Sequence, residues 1–161
     1  MDRKAIIIAA SLPAILAGLF VAASHTSMWP EPLARLTDSY APQGPTNTFS
    51  DFSPSSRTGA LVSSGRPITG SPVYLLFQPR RHTKNIRVEI SASEPGMQIG
   101  YRDGDGPEDN VFVATSHSGL ISSATLPFDR MTRERTDARR IVVSTTSTSL
   151  IISNVRIFYE D

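Results

Sequence analysis

Apolar and polar positions follow two different rhythms along this chain. Residues 5–23 read AIIIAASLPAILAGLFVAA, a run of 19 residues without a charge. From Val73 onward, apolar residues instead recur at every second position, in short runs bounded by turn formers. The first rhythm predicts a helix that is apolar all round. The second predicts β-strands with one buried face.

Seven strands are predicted after the change of rhythm: residues 73–78, 85–92, 97–101, 111–115, 120–126, 141–144 and 150–159. In the second of them, Ile86, Val88 and Ile90 face one way, while Arg87, Glu89 and Ser91 face the other. Glu94-Pro95-Gly96 is a turn, residues 102–110 form a Gly/Asp loop, residues 116–119 turn the chain, and residues 127–139 make a charged crossing. The apolar residues of the last strand fall on offset faces, which predicts a bulge at Ser153-Asn154. Strands this short, spaced by roughly 8–12 residues, signal an all-β sandwich or barrel built from antiparallel pairs.

Between the two rhythms the chain has neither. Pro30, Pro32, Pro42, Pro45, Pro54, Pro67 and Pro72 fall there among many Ser, Thr and Gly residues. That composition favours extended and turn conformations. The expected organisation is an N-terminal segment over residues 1–23, an irregular tether over 24–72 and a β domain over 73–161. Pro30 to Leu36 suits one helical turn, and residues 58–63 suit an edge strand.

The apolar run spans about 28 Å as a helix, close to the hydrocarbon thickness of a bilayer. Arg3 and Lys4 precede it and no basic residue follows until Arg35. The positive-inside rule then places the N-terminus in the cytoplasm and the β domain outside, periplasmic or extracellular. The rival reading is a cleaved secretory signal, with Val21-Ala22-Ala23 near a cut site. The run is longer than the usual ~7–15 residues of a signal's apolar core, which favours a retained single-pass anchor.

Charge removes one class of function. Residues 73–161 carry eleven Arg and Lys against eleven Asp and Glu, so the domain has no excess of positive charge for nucleic acid. The chain has no cysteine, which excludes disulfides and thiol chemistry. The most chemical-looking stretch is the acidic loop, where Asp103, Asp105, Glu108 and Asp109 could give oxygen ligands to Ca²⁺. Its spacing departs from the EF-hand pattern, and a solvated hairpin loop built from good turn formers is the favoured reading. Arg80 and Arg81, with His82 and Lys84, make a basic patch suited to anionic headgroups or an acidic partner surface, or to pairing with the acidic loop. The mixed charges of residues 129–140 suit internal salt bridges. His25, His82 and His117 lack metal-ligand spacing, and Ser116-His117-Ser118 lies outside any nucleophile-elbow motif. No nucleotide, cofactor or catalytic pattern emerges.

The run RIVVSTTSTSLIISNVRIFYE, ending at Glu160, resembles the closing hairpin of galactose-binding-like jelly-roll domains. The resemblance covers roughly residues 70–161 and is one of strand pattern. It implies a jelly-roll-like sandwich that binds glycans or acts as an interaction module. The expected role is therefore a non-catalytic, membrane-anchored accessory subunit that docks on a larger membrane or envelope assembly. The alternative is a tethered glycan- or cell-wall-binding module. Trp29 and Tyr40, large aromatics within the tether, are the expected partner anchors.

Overall fold

The computed structural model describes residues 37–44, 48–80 and 82–160, and in it the period-two runs pair into two antiparallel sheets. Sheet A holds β1 (Thr37–Tyr40), β11 (Leu150–Glu160), β5 (Asn85–Ala92), β9 (Ile121–Pro127) and β8 (Ser116–Ser118), in that order, and β3 (Arg66–Ile68) shares the edge of β11 with β1. Sheet B runs β2 (Phe49–Ser53), β4 (Val73–Phe77), β10 (Arg139–Ser144), β6 (Gln98–Arg102) and β7 (Asn110–Phe112). The chain is all-β here, a β-sandwich, and the steps β4 to β5, β5 to β6, β9 to β10 and β10 to β11 each change sheet.

The alternation sets the core. Ile86, Val88, Ile90 and Ala92 of β5 are buried, and they meet Val73, Leu75 and Phe77 of β4 and Ile141 and Val143 of β10 in one cluster. Arg87, Glu89 and Ser91 lie half-buried on the outer face, as the alternation requires. In β11 the register shifts between Ile152 and Asn154, at the expected bulge, and the shift keeps both Ile152 and Val155 in the core. Without it, a three-residue separation would send one of them outward.

Four expectations are corrected. The stretch read as a structureless tether supplies three strands, β1, β2 and β3, and Tyr40, Phe49, Phe52 and Ile68 from it are core residues. These three strands belong to the same compact unit as the strands after Val73. Residues 58–63 form no strand; Thr58 and Val62 make only isolated bridges, to Ile68 and Gly65. Residues 116–118, read as a turn, are the edge strand β8, because Ser116, His117 and Ser118 pair with Ser123, Ser122 and Ile121. The closing strands β10 and β11 are not a hairpin, since they lie in opposite sheets. The crossing after β9 contains two short 3-10 turns, Phe128–Arg130 and Arg135–Asp137.

Register gives the sandwich two unlike ends. Thr37 lies opposite Phe158, Asn85 opposite Glu160 and Pro127, and Arg139 opposite Phe77, so all of these sit at one end. That end gathers the loops 78–84, 103–109 and 128–138, which hold half of the charges among the described residues. The opposite, distal end gathers the loops 54–65, 69–72, 93–97, 119–120 and 145–149, in which Arg57 and Glu94 are the charged residues. Among the described residues no helix is long and apolar enough to cross a membrane. The expected span over residues 5–23 and the helical turn before Leu36 lie outside the described residues.

Candidate functional site

At the charged end, the basic and acidic stretches are occupied with the protein itself. Arg80 Nη2 donates to Asp38 Oδ1 at 2.7 Å, and its guanidinium lies 5.1 Å from the centre of the Tyr159 ring. Arg80 is thus held in an ion pair with β1, a segment that the sequence reading places in the tether. Arg81 lies outside the described residues, as does Trp29. His82 takes a left-handed backbone with φ +67°, which serves the tight return of the chain into β5.

The carboxylates of the acidic loop make separate contacts. The Asp103 carboxylate pairs with Arg130 at 3.0 Å, and Asp109 Oδ2 accepts the Gly106 N–H at 2.7 Å. Asp105 and Glu108 are exposed, and the Asp105 and Gly106 carbonyls accept hydrogen bonds from the Arg102 guanidinium. Among the described residues no three acidic or histidine side chains converge as metal ligands would. Of these carboxylates, Asp109 closes the loop and Asp103 ties it to Arg130.

The mixed cluster behaves as its signs imply. Arg140 pairs with Glu134 at 2.9 Å and Arg133 with Asp137 at 3.3 Å. Arg139 is buried against Phe128, donating to the Asp137 and Ala138 carbonyls, and burial lowers its pKa, with Arg133 adding to the effect. On the outer face of sheet B, Tyr74 lies between Arg102 and Arg140, with the guanidiniums 5.9 and 5.8 Å from its ring centre, and Asn110 Nδ2 donates to its hydroxyl at 3.1 Å.

Tyr40 is not an exposed anchor. It is 3% accessible and packs edge-on against Phe52 and Phe49, at 5.6 and 6.2 Å between ring centres. Its hydroxyl donates to Asp51 Oδ1 at 2.7 Å, and Asp51 in turn pairs with Arg66. His117 Nδ1 lies 2.9 Å from Ser122 Oγ, but Ser122 is 1% accessible. That contact fastens β8 to β9.

Two features escaped the sequence pattern. Of the exposed large apolar side chains, Leu120 and Ile121 stand at the β8–β9 turn and Leu61 and Val62 lie beside β3, all toward the distal half, while Phe112 stands on β7 of sheet B. On the outer face between them, Ile151 pairs with Pro67 and Ile121 with Ser91. The second is a groove of about 550 Å³ lined by Arg87, Val113, Ala114, Ser116, Ser123, Ala124 and Thr125. No protein-family model and no curated protein matches this chain.

Proposed function

We propose that this chain is a membrane-tethered, non-catalytic accessory subunit whose sandwich docks through its distal half onto a larger membrane or envelope assembly. The observation behind this reading is the polarity of the domain. The chain enters at Thr37 at the charged end, where the cations and anions are largely spent on one another. The exposed aliphatic residues lie at the other end, among loops whose charges are Arg57, which is bonded to the Pro72 carbonyl, and Glu94. Single apolar residues on a surface need no explanation, but a group of them on a weakly charged face suits a partner. In this reading residues 5–23 are the anchor, the N-terminus is cytoplasmic and the sandwich stands outside. The finer assignment to galactose-binding-like jelly rolls belongs to the same proposal, supported by strands that repeatedly change sheet.

The test is purification of the full chain from its native membrane in mild detergent, beside a Leu120→Asp, Ile121→Asp variant. Both side chains are about half exposed, so the variant should melt near the unaltered chain. The expected result is a co-purifying assembly that the variant loses. A chain that purifies alone in both forms would overturn the reading.

A further inference from the structure

The groove of about 550 Å³ lies where the chain passes from one sheet to the other. β8 pairs with β9 only from Ser116 to Ser118, opposite Ser123 to Ile121. Before Ser116 the chain is held by sheet B instead, where the Val113 N–H donates to the Ile99 carbonyl at 3.2 Å. β9 meanwhile continues to Pro127 along β5. Residues 124–127 of β9 therefore have a strand on one side and the groove on the other. That stretch is about 13 Å long, at ~3.3 Å per residue.

The backbone groups of this stretch can be assigned to a side. Along an antiparallel strand, successive residues turn their N–H and C=O to opposite neighbours. The Leu120 carbonyl accepts the Ala92 N–H at 3.0 Å, and the Phe128 N–H donates to the Lys84 carbonyl at 2.9 Å, so the even-numbered residues of β9 serve β5. The Ser123 carbonyl accepts from Ser116 Oγ at 3.2 Å, so the odd-numbered residues face β8. Thr125 is the next odd residue. Its N–H and C=O point into the groove, and among the described residues nothing there bonds to either. The inner side of the groove is apolar, with Ala124 buried and Val113 packed on the core. From Val111 to Phe128 the chain carries no Asp, Glu, Lys or Arg. The far edge of sheet A, by contrast, carries Asp38, Arg66 and Pro67, the residue types that keep an edge from pairing.

From this geometry we infer that the groove receives one extended, uncharged segment of a partner chain, added to sheet A antiparallel to β9 and in line with β8. The residue opposite Thr125 exchanges both backbone bonds with it and turns its own side chain outward. The residues on either side of it point inward onto Ala124 and Val113, where small apolar side chains fit and a charge would be stripped of water. The β9 edge of a second copy cannot serve, because it is recessed in the same groove. Thr125 lies opposite Arg87, away from the distal aliphatic residues, so this inference does not rest on the docking reading.

The test uses the full chain, ¹⁵N-labelled in detergent micelles, titrated with the peptide acetyl-Thr-Val-Thr-Val-Thr-amide. Its central Thr is the residue placed opposite Thr125, and its two Val point inward. The amides of residues 113–116 and 123–126 should shift with a Kd on the order of 1 mM. At ten times that Kd, exchange of the Thr125 amide should slow about tenfold, since only the peptide-free fraction exchanges. The same peptide N-methylated at its central Thr, or with Glu in place of both Val, should bind about tenfold more weakly or worse. Thr125→Pro removes the donor without touching the ladder to β5 and should abolish the shifts of residues 113–116. Ala114→Leu, which fills the groove from an exposed position, should also abolish them, with the melting temperature unchanged. Equal binding of the N-methylated peptide, shifts that survive Ala114→Leu, or no shift at ten times the expected Kd would each overturn the inference. So would a Thr125 amide already protected in the chain alone, which would put a second copy or the chain's own upstream segment in the groove.

Discussion

Tyr159 and Asp38 stand 121 positions apart and are joined by one hydrogen bond, from the phenol to Asp38 Oδ2 at 2.5 Å. Asp38 also takes Arg80 on its other oxygen, so one carboxylate ties β1, β11 and the loop after β4 together. The site is largely closed to water, since the Asp38 side chain is 10% accessible. Removing the acceptor should therefore leave two donors stranded. Asp38→Ala is expected to cost about 2–3 kcal/mol in urea unfolding, and Tyr159→Phe about 1–2 kcal/mol. If Arg80 served a partner surface instead, Asp38→Ala would cost no more than Tyr159→Phe.

Tyr40 offers a test with two readouts. Replacing it by Ala should remove a packed ring from the core and cost about 3–5 kcal/mol, in the range seen for buried aromatics. Burial, and then the bond to Asp51, push the Tyr40 hydroxyl up to about 12. Its unfolded value is near 10. The folded state therefore holds this proton more tightly than the unfolded state, and the resulting stability is present in full below pH ~10 and is lost as pH rises toward ~12. Tyr159 is raised in the same direction, by burial first and Asp38 second. Unfolding midpoints measured across this range should fall less steeply for Tyr40→Phe than for the unaltered chain.

The position of the domain boundary can be read by deletion. A fragment that starts at residue 35 keeps all eleven strands and should unfold cooperatively, with dispersed amide resonances. One that starts at Val73 loses β1, β2 and β3, and with them Tyr40, Phe49, Phe52 and Ile68 from the core. It also bares one edge of β11 and one of β4. That fragment should be aggregated or unfolded at room temperature.

Gly65 should tolerate no side chain. Its φ is +137°, and a Cβ there would stand 2.2 Å from the Ile152 carbonyl oxygen, beside the bulge of β11. Backbone cannot yield as a flexible side chain would. Gly65→Ala is expected to lower stability by about 1–3 kcal/mol, whereas Gly119→Ala, whose Cβ would meet open space, should cost only the strain of its φ of +58°. Thermal melts of the pair separate the clash from the strain.

The strands that the sequence reveals and those it hides differ in how many neighbours they have. β4, β5, β6, β9, β10 and β11 each pair on two sides, and their interior positions need apolar residues at every second place. β1 and β3 lie on one edge and bury one apolar residue each, Tyr40 and Ile68, so four- and three-residue runs leave no period to detect. Pro67 even counts against β3, although an edge position tolerates it. In β2 the buried Phe49 and Phe52 are three apart, because the register against β4 shifts between them, and the alternation is broken at its source. β8 is Ser-His-Ser, wholly exposed, and its strand character comes from β9. The groove was equally hidden. It arises from the divergence of two segments, and its small residues look like any surface loop until register brings Thr125 beside Arg87.

Entry of the chain at Thr37 also has a mechanical consequence. β1 starts at the charged end and runs toward the distal end, antiparallel to β11, with Thr37 to Tyr40 paired to Phe158 to Val155. A pull on the chain upstream of Thr37, against a sandwich gripped at its distal half, acts along the axis of β1. The ladder bonds lie across that axis and would bear the load together, in shear, rather than breaking one by one. The Asp38 carboxylate, clasped by Tyr159 and Arg80, adds a side-chain latch at the point where the force enters.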